Sequence, residues 1–550
     1  MGPKALLFMA AIAAAAAQDD DKVGGVVIQE FAQRLNHSIN ATSEATFNQK
    51  YQLDTRFFKP GGPIFFIQSA ETGMQSINVS DFVDYAPKLG GMVAVLEHRF
   101  FSSNSSGDTG HSADVVKRND SSSSNRTYPD LTFLNVLQDG ANFVDWIRST
   151  VQGANESKAI YGGSSSYGGF LAVAARIRHP NTFWGAIASS PALNSFGPLD
   201  SNRFRFDAAE RNDVIYENIS ANAYDRIKSS MLALQHCISG KEIRGGRETW
   251  PPPAAADNHH HQDNNCDEAI PDLDICSGSE GGVNYTTLYN AAVQTYTFTP
   301  QFNYPYVDRY PTAYPFQDLV GKTLAANTTG QVLRVPLLAA SWAASPTSCI
   351  DASSANITDP GAVAGTVPMY AYVRCAYYPL NTISIPADNM LPEAHARGVV
   401  DDLCGGGDDD GAGAAAALPP DYYSANEYFV QKFAVTNSAI DSVDRVLIVQ
   451  GATDRIAAVG SPGLTVTADL NHSRVVLAEG LAHAEDAVSE AVVPRGAKVE
   501  LDRIRDVKLE HIKEWLGQGT QQISESTTVI HGLPSLVAFI ACGLLAFVFL

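Results

Sequence analysis

Positive charge is in short supply: 38 Lys and Arg stand against 59 Asp and Glu, a formal net charge of −21 at pH 7. A nucleic-acid partner needs a basic face for its phosphates, so that class of function is excluded. Cysteine is also sparse, 7 in 550 residues, and no pair has Cys-x-x-Cys spacing. The run His259-His260-His261 sits in a polar, proline-flanked loop. Neither pattern suits a metal, and no metal or organic cofactor is expected. Repeats and patch-like stripes are missing too, which leaves little for a pure binding module. What is there is a globular composition, 45% hydrophobic and 18% charged. At roughly 150 residues per domain the length allows two or three units.

The chain is organised around Tyr161-Gly162-Gly163-Ser164-Ser165-Ser166-Tyr167-Gly168-Gly169 and the apolar run that follows from Phe170 towards His179-Pro180. Glycine and serine leading into helical apolar spacing is how a strand turns sharply into a helix with one serine at the bend, the nucleophile elbow of an α/β-hydrolase. Small residues are needed because the turn is strained and neighbouring backbones approach closely. Ser166 has small residues at minus two and plus two, and the helix begins directly after it. Ser164, in Gly162-Gly163-Ser164-Ser165-Ser166, is the alternative nucleophile.

Strand and helix alternate around this point. Ile64 to Ile67 and Met92 to Leu96 read as buried strands, Ala159 to Tyr161 as the strand before the elbow, and Gly185 to Ser189 as the strand after its helix. Leu134, Leu137, Ala141, Val144 and Ile147 keep helical spacing, which predicts an amphipathic helix over Leu131 to Arg148. Phe31 to Tyr51 reads as a polar, sequon-bearing segment. The pattern predicts an α/β fold, a mostly parallel sheet covered on both faces. The loop Gln68 to Gly73 lies where oxyanion-hole N–H donors arise, which singles out Ala70 and Glu71 beside the N–H of Tyr167. The triplet Glu97-His98-Arg99 is read as a structural ion-pair cluster in preference to a catalytic one.

Regular texture returns late in the chain. Val446 to Gln450 is a strand ending in Gly451-Ala452-Thr453-Asp454, and Arg474 to Ala478 is another ending in Glu479-Gly480-Leu481-Ala482-His483. Serine, aspartate and histidine thus follow strands in the chain order of an α/β-hydrolase, which makes Ser166, Asp454 and His483 the expected triad. Between the two halves, Leu199 to Tyr428 loses the alternation and holds Cys237, Cys266, Cys276, Cys349, Cys375 and Cys404. This predicts one large, helical, disulfide-bearing lid inserted before the Asp and His strands, since an insert outside the sheet's core needs another constraint. The expected organisation is a core over 24–198 and 429–518 with the lid at 199–428.

The ends point to the secretory pathway. Met1 to Ala17 has a lone Lys4, an apolar centre and a small-residue end, and reads as a signal peptide cleaved before Gln18. Asn-x-Ser/Thr sequons stand at Asn36, Asn40, Asn78, Asn104, Asn119, Asn125, Asn155, Asn218, Asn284, Asn327, Asn356 and Asn471, as a glycoprotein would have them. Leu533 to Leu550 is almost wholly apolar with no basic residue beyond it, and Gly519 to Ser526 is a polar spacer with small residues. The segment 519–550 is therefore expected to be a GPI-attachment signal that places the mature protein on the outer leaflet.

At these residues the sequence resembles the serine peptidase family of lysosomal Pro-Xaa carboxypeptidase, dipeptidyl peptidase II and the fungal acid prolyl endopeptidases. The resemblance is carried by Thr46-Phe47-Asn48-Gln49-Lys50-Tyr51, Lys59-Pro60-Gly61-Gly62-Pro63-Ile64, Leu96-Glu97-His98-Arg99-Phe100-Phe101, the elbow from Ser166 to His179-Pro180, Trp184-Gly185-Ala186-Ile187-Ala188-Ser189-Ser190, Gly451-Ala452-Thr453-Asp454 and Ala482-His483-Ala484-Glu485-Asp486. It implies peptide substrates containing proline, cut on the carboxyl side of that residue, best at acidic pH. Where relatives carry Cys-Thr-Glu, this chain has Cys375-Ala376-Tyr377, which implies tolerance of blocked N-termini. The family's Gly-Gly-Glu-Gly loop is here Ser69-Ala70-Glu71-Thr72, and the elbow is two residues longer, which keeps Ser164 open. The alternatives are an extracellular esterase or lipase with the same triad, or a GPI-anchored surface protein with impaired catalysis.

Overall fold

Ile64-Phe65-Phe66-Ile67-Gln68 is buried at every position, and its residues part by alternation. Ile64 and Phe66 enter one apolar cluster and Phe65 and Ile67 the other, which is what a strand covered on both faces requires. The computed structural model describes residues 22–38, 45–101, 130–193, 203–239, 270–275, 285–340, 349–350, 373, 389–391, 443–455 and 474–518, except for a few single positions within them. The expected signal peptide, the C-terminal spacer and tail, and the residues Asn40, Asn104, Asn119, Asn125, Asn284, Asn356, Asn471, Cys266, Cys276, Cys375 and Cys404 lie outside the described residues.

In chain order the main elements are β1 (Gln29–Arg34), β2 (Thr46–Asp54), β3 (Ile64–Gln68), α1 (Phe82–Leu89), β4 (Met92–Leu96), α2 (Phe133–Thr150), β5 (Ala159–Tyr161), α3 (Tyr167–Arg178) and β6 (Phe183–Ser189). They continue with α4 (Arg203–Ser239), α5 (Tyr285–Gln301), α6 (Pro315–Ala325), α7 (Thr329–Ala340), β7 (Val446–Gly451), β8 (Arg474–Ala478) and α8 (Val499–Leu516). The eight strands form one sheet in the order β1-β2-β4-β3-β5-β6-β7-β8. β1 and β2 pair antiparallel, as do β2 and β4, and the remaining pairs are parallel. This is the α/β-hydrolase sheet, with α2 and α3 in the cluster on one face and α1 and α8 in the cluster on the other.

The antiparallel edge differs from the sequence reading, in which Phe31 to Tyr51 was only a polar segment. Its strands alternate exposed and buried residues, and the buried ones include Gln33 and Gln49. Gln33 donates to Gln49 at 3.2 Å, and Gln49 to the Glu97 carbonyl at 2.6 Å. Buried amides with partners cost little, so a polar sequence can still be a strand here.

Between β6 and β7 the chain inserts α4 to α7, which share a core of their own around Tyr216, Ile227, Leu288, Tyr296, Phe316 and Leu333. Cys237 at the end of α4 and Cys349 are disulfide-bonded. Among the described sequons, Asn155, Asn218 and Asn327 are exposed, whereas Asn78 is partly buried and the Asn36 amide donates to Asp130 at 2.9 Å. No helix among the described residues is long and apolar enough to cross a membrane.

Candidate active site

The elbow between β5 and α3 puts Ser166 at φ 55 and ψ −116, a conformation a non-glycine residue adopts only under constraint. The constraint is visible: Ser166 N–H donates to the Ser189 carbonyl at 3.1 Å and Phe170 N–H to the Ser166 carbonyl at 3.0 Å. Gly169 allows the approach of β6, since a Cβ there would lie 2.6 Å from the Ser189 carbonyl oxygen. Ser166 remains partly accessible. Ser164 is buried, and a Cβ on Gly168 would meet its Oγ at 2.2 Å, so it packs beneath the helix start.

Asp454 follows β7 and is fully buried; His483 follows β8. Their turns are stitched by Thr453, whose N–H and Oγ1 both donate to the Leu481 carbonyl at 3.1 and 2.8 Å. That brings His483 Nδ1 to 2.6 Å from Asp454 Oδ2. The carboxylate accepts from Nδ1–H and leaves Nε2 as the ring's basic nitrogen.

Ala70 and Glu71 lie beside the elbow, but not only as N–H donors. The Glu71 carboxylate accepts the Tyr167 N–H at 3.2 Å, so the resting site places a carboxylate on an expected oxyanion donor. Burial raises the Glu71 pKa. Its own N–H, that of Tyr167, the charge of His483 and the Ser166 hydroxyl favour the ionised form. The candidate residues Ser166, Tyr167, Glu71, His483 and Asp454 thus meet at one place.

The Glu97-His98-Arg99 triplet supports this site from behind. Arg99, fully buried, grips Asp139 of α2 with Nε and Nη2 at 2.7 and 2.6 Å and donates to the carbonyls of Leu35 and Asp130. His98 Nδ1 lies 3.1 Å from the Arg99 carbonyl, so Nε2 accepts from the Tyr167 hydroxyl at 2.9 Å. Burial lowers the His98 pKa to about 4, which keeps that acceptor neutral. A neutral imidazole here anchors the ring of the residue that follows Ser166.

Sequence reasoning missed a second support. Lys508 of α8, almost fully buried, pairs with Asp81 at 3.0 Å and with Asp486 at 2.6 Å, and donates to the Asp486 carbonyl at 2.7 Å. Burial opposes its charge, but Asp486 and Asp81 outweigh it and raise its pKa. Asp486 also accepts from the Ser189 hydroxyl, and Ser190 Oγ accepts the Ala484 N–H at 3.0 Å. The end of β6 therefore joins the elbow to the His483 turn. The signal was available: Lys508 sits on the same helical stripe as Leu501, Ile504, Ile512 and Trp515.

Among the described residues no group of His, Cys, Asp and Glu could hold a metal ion.

The chain is 31% identical over 171 residues to prolyl carboxy peptidase like protein 5 of Caenorhabditis elegans, covering 29% of this chain and 30% of that protein. It is 29% identical over 175 residues to lysosomal Pro-X carboxypeptidase of Bos taurus, covering 31% and 33%. The matched stretches thus span about a third of these relatives' own length. A solved proline iminopeptidase from Mycobacterium smegmatis aligns over 89% of this chain and 99% of its own at 10% identity and a TM-score of 0.32, and the fold assignment rests on the strand order instead. The family model described as serine carboxypeptidase S28 matches residues 33–364, which include the elbow and end before Asp454. With more than half of its length in that match, the chain belongs to the serine carboxypeptidase S28 family.

Proposed function

We propose that the protein is a secretory-pathway serine peptidase that hydrolyses peptide bonds on the carboxyl side of proline through Ser166, His483 and Asp454. The observation that carries this reading is the buried Asp454–His483 pair at 2.6 Å, together with a strained, partly accessible Ser166 whose hydroxyl, like His483, acts on the Glu71 carboxylate. Ser166 Oγ attacks the peptide carbonyl carbon while His483 Nε2 takes its proton and gives it to the leaving amine. Water, deprotonated by the same nitrogen, then cleaves the acyl group from Ser166 and restores its hydroxyl. Asp454 holds the ring's tautomer and stabilises the imidazolium. The Tyr167 N–H stabilises the oxyanion, a contribution of about 3 kcal/mol for such a donor. The proline preference is supported by the printed names of the relatives, a prolyl carboxy peptidase like protein and a Pro-X carboxypeptidase. The test compares an N-acylated Ala-Pro chromogenic amide, its free-amine form and a peptide ending in Pro-Phe. Cleavage after proline, with the blocked substrate accepted, is the expected result. Turnover of simple esters with none after proline would replace the peptidase by an esterase.

Glu71 gives the pH dependence its direction. An ionised carboxylate on the Tyr167 N–H occupies the oxyanion's donor and repels the developing charge, whereas the protonated acid does not repel it. Because burial raises the Glu71 pKa, the protonated form persists to higher pH than in a free glutamate. Activity should therefore be greatest on the acid side and fall as pH rises through that pKa. Glu71→Gln is expected to flatten the fall and raise kcat/KM about threefold or more at neutral pH. A pH–rate profile identical to that of the wild type would remove Glu71 from the account. The same carboxylate favours a second reading, a family member with impaired catalysis. Absence of hydrolysis at every pH in both wild type and Glu71→Gln would select it.

A further inference from the structure

The inserted helices touch the two turns that carry Asp454 and His483. His483 N–H donates to the Gln301 carbonyl at 2.8 Å, and the His483 carbonyl accepts from the Tyr304 hydroxyl, also at 2.8 Å. Both polar groups of the histidine's backbone are thus held by the end of α5 and the turn beyond it. Gln301 reaches the acid turn as well: its side-chain Oε1 accepts from Arg455 Nε at 3.2 Å, one residue after Asp454. Arg211 of α4 donates to the carbonyl of Ala452 in the same turn at 2.5 Å.

This end of α5 is itself held in place. Tyr314 N–H donates to the Tyr304 carbonyl at 2.7 Å, Phe316 N–H to Asn303 Oδ1 at 3.1 Å, and the Tyr304 ring stacks on Tyr306 with centroids 5.1 Å apart. Phe302 presents an edge-on contact to the His483 ring at 6.1 Å, and Phe302, Tyr304 and Tyr310 form one apolar cluster with Ala482. The core supplies its own ties at Thr453 and Ser190, but none of them bonds the backbone of His483 itself.

We propose that Gln301 and Tyr304 are positioning residues for catalysis, so that the insertion completes the active site by clamping the backbone of His483 and joining it to the Asp454 turn. The inference rests on His483 being the general base. Any movement of α5 away from the core then releases both backbone partners of His483 at once, so access to the site and readiness of the base are coupled through one segment. A loosened turn costs orientation between Nε2 and Ser166 Oγ, and small misplacements of a catalytic group are expensive.

The test uses the full secreted chain with Tyr304→Phe, which removes one hydroxyl, and with Gln301→Leu, which cuts the link to Arg455 and leaves the backbone carbonyl. Labelling by a fluorophosphonate probe reports base-assisted attack by the serine whether the natural substrate is a peptide or an ester. Tyr304→Phe is expected to lower kcat and the labelling rate by about tenfold per folded molecule, with KM within about twofold and a thermal midpoint close to wild type. Gln301→Leu should show the same split with a smaller loss, and the double variant should lose no more than the product of the two fold-losses. Wild-type kcat and labelling in Tyr304→Phe would overturn the inference. A loss that merely tracks the unfolded fraction would also overturn it, since that is what a purely structural tyrosine gives. His483→Ala separates the two ideas: if it labels like the wild type, the reading of the base has failed. If it is silent while Tyr304→Phe labels normally, only the clamp has failed.

Discussion

Ser166→Ala is expected to abolish hydrolysis and fluorophosphonate labelling, with a loss in turnover on the order of a million-fold. No packing effect approaches that size, because the substitution removes one oxygen from a partly accessible side chain. The backbone conformation is independent of that oxygen: φ 55 is held by the bonds to Ser189 and from Phe170, and alanine keeps the same Cβ. Folding should therefore survive, and the variant should retain the wild-type thermal midpoint within a few degrees. Ser164→Ala gives the contrast. Ser164 is buried under the start of α3, so its loss perturbs packing at Gly168 but leaves folded protein and a measurable rate. Mass mapping of the labelled residue decides between them. A label on Ser164, or labelling that persists in Ser166→Ala and vanishes in Ser164→Ala, would reverse the assignment.

The parts of the fold that could be read from sequence are those where one physical demand dominates. β3, β4 and β7 are buried at every position, and continuous apolar runs such as Met92 to Leu96 have no other good explanation. The amphipathic spacing of α2 likewise located it within two residues at either end, with Thr132 as the cap accepting the Asn135 N–H. β1 and β2 were illegible because amides such as Gln33 and Gln49 fill core positions once they bond each other and nearby carbonyls. At the site, chain order and turn chemistry singled out Ser166, Asp454 and His483, since each ends or follows a strand. The Gln301 contact could not have been found that way. It is made by a main-chain carbonyl, which every residue type possesses, and to a turn far along the chain. Glu71 stood in the right loop, but the direction of its side chain, onto the Tyr167 N–H, depends on three-dimensional geometry.

Asp454→Asn should leave the fold intact and lower kcat about ten-thousandfold, by analogy with a triad whose carboxylate is replaced by its amide. The carboxylate is wholly buried and accepts from His483 Nδ1 at 2.6 Å, so it specifies which ring nitrogen carries the proton. An asparagine can present either its oxygen or its NH₂ to that nitrogen. With NH₂ facing Nδ1, the ring must accept there, which moves its proton to Nε2 and leaves no base opposite Ser166. The imidazolium formed during attack also loses a neighbouring negative charge. Both effects act on the chemical step, so KM should change far less than kcat, and the variant should bind the N-acylated Ala-Pro substrate nearly as the wild type does. Raising the pH does not restore a wrong tautomer. A pH–rate profile to the alkaline limit of stability therefore checks the tautomer account. Recovery of most of the lost activity at high pH would mean that a wrong tautomer is not the cause of the loss. A loss below about tenfold at every pH would remove Asp454 from the triad.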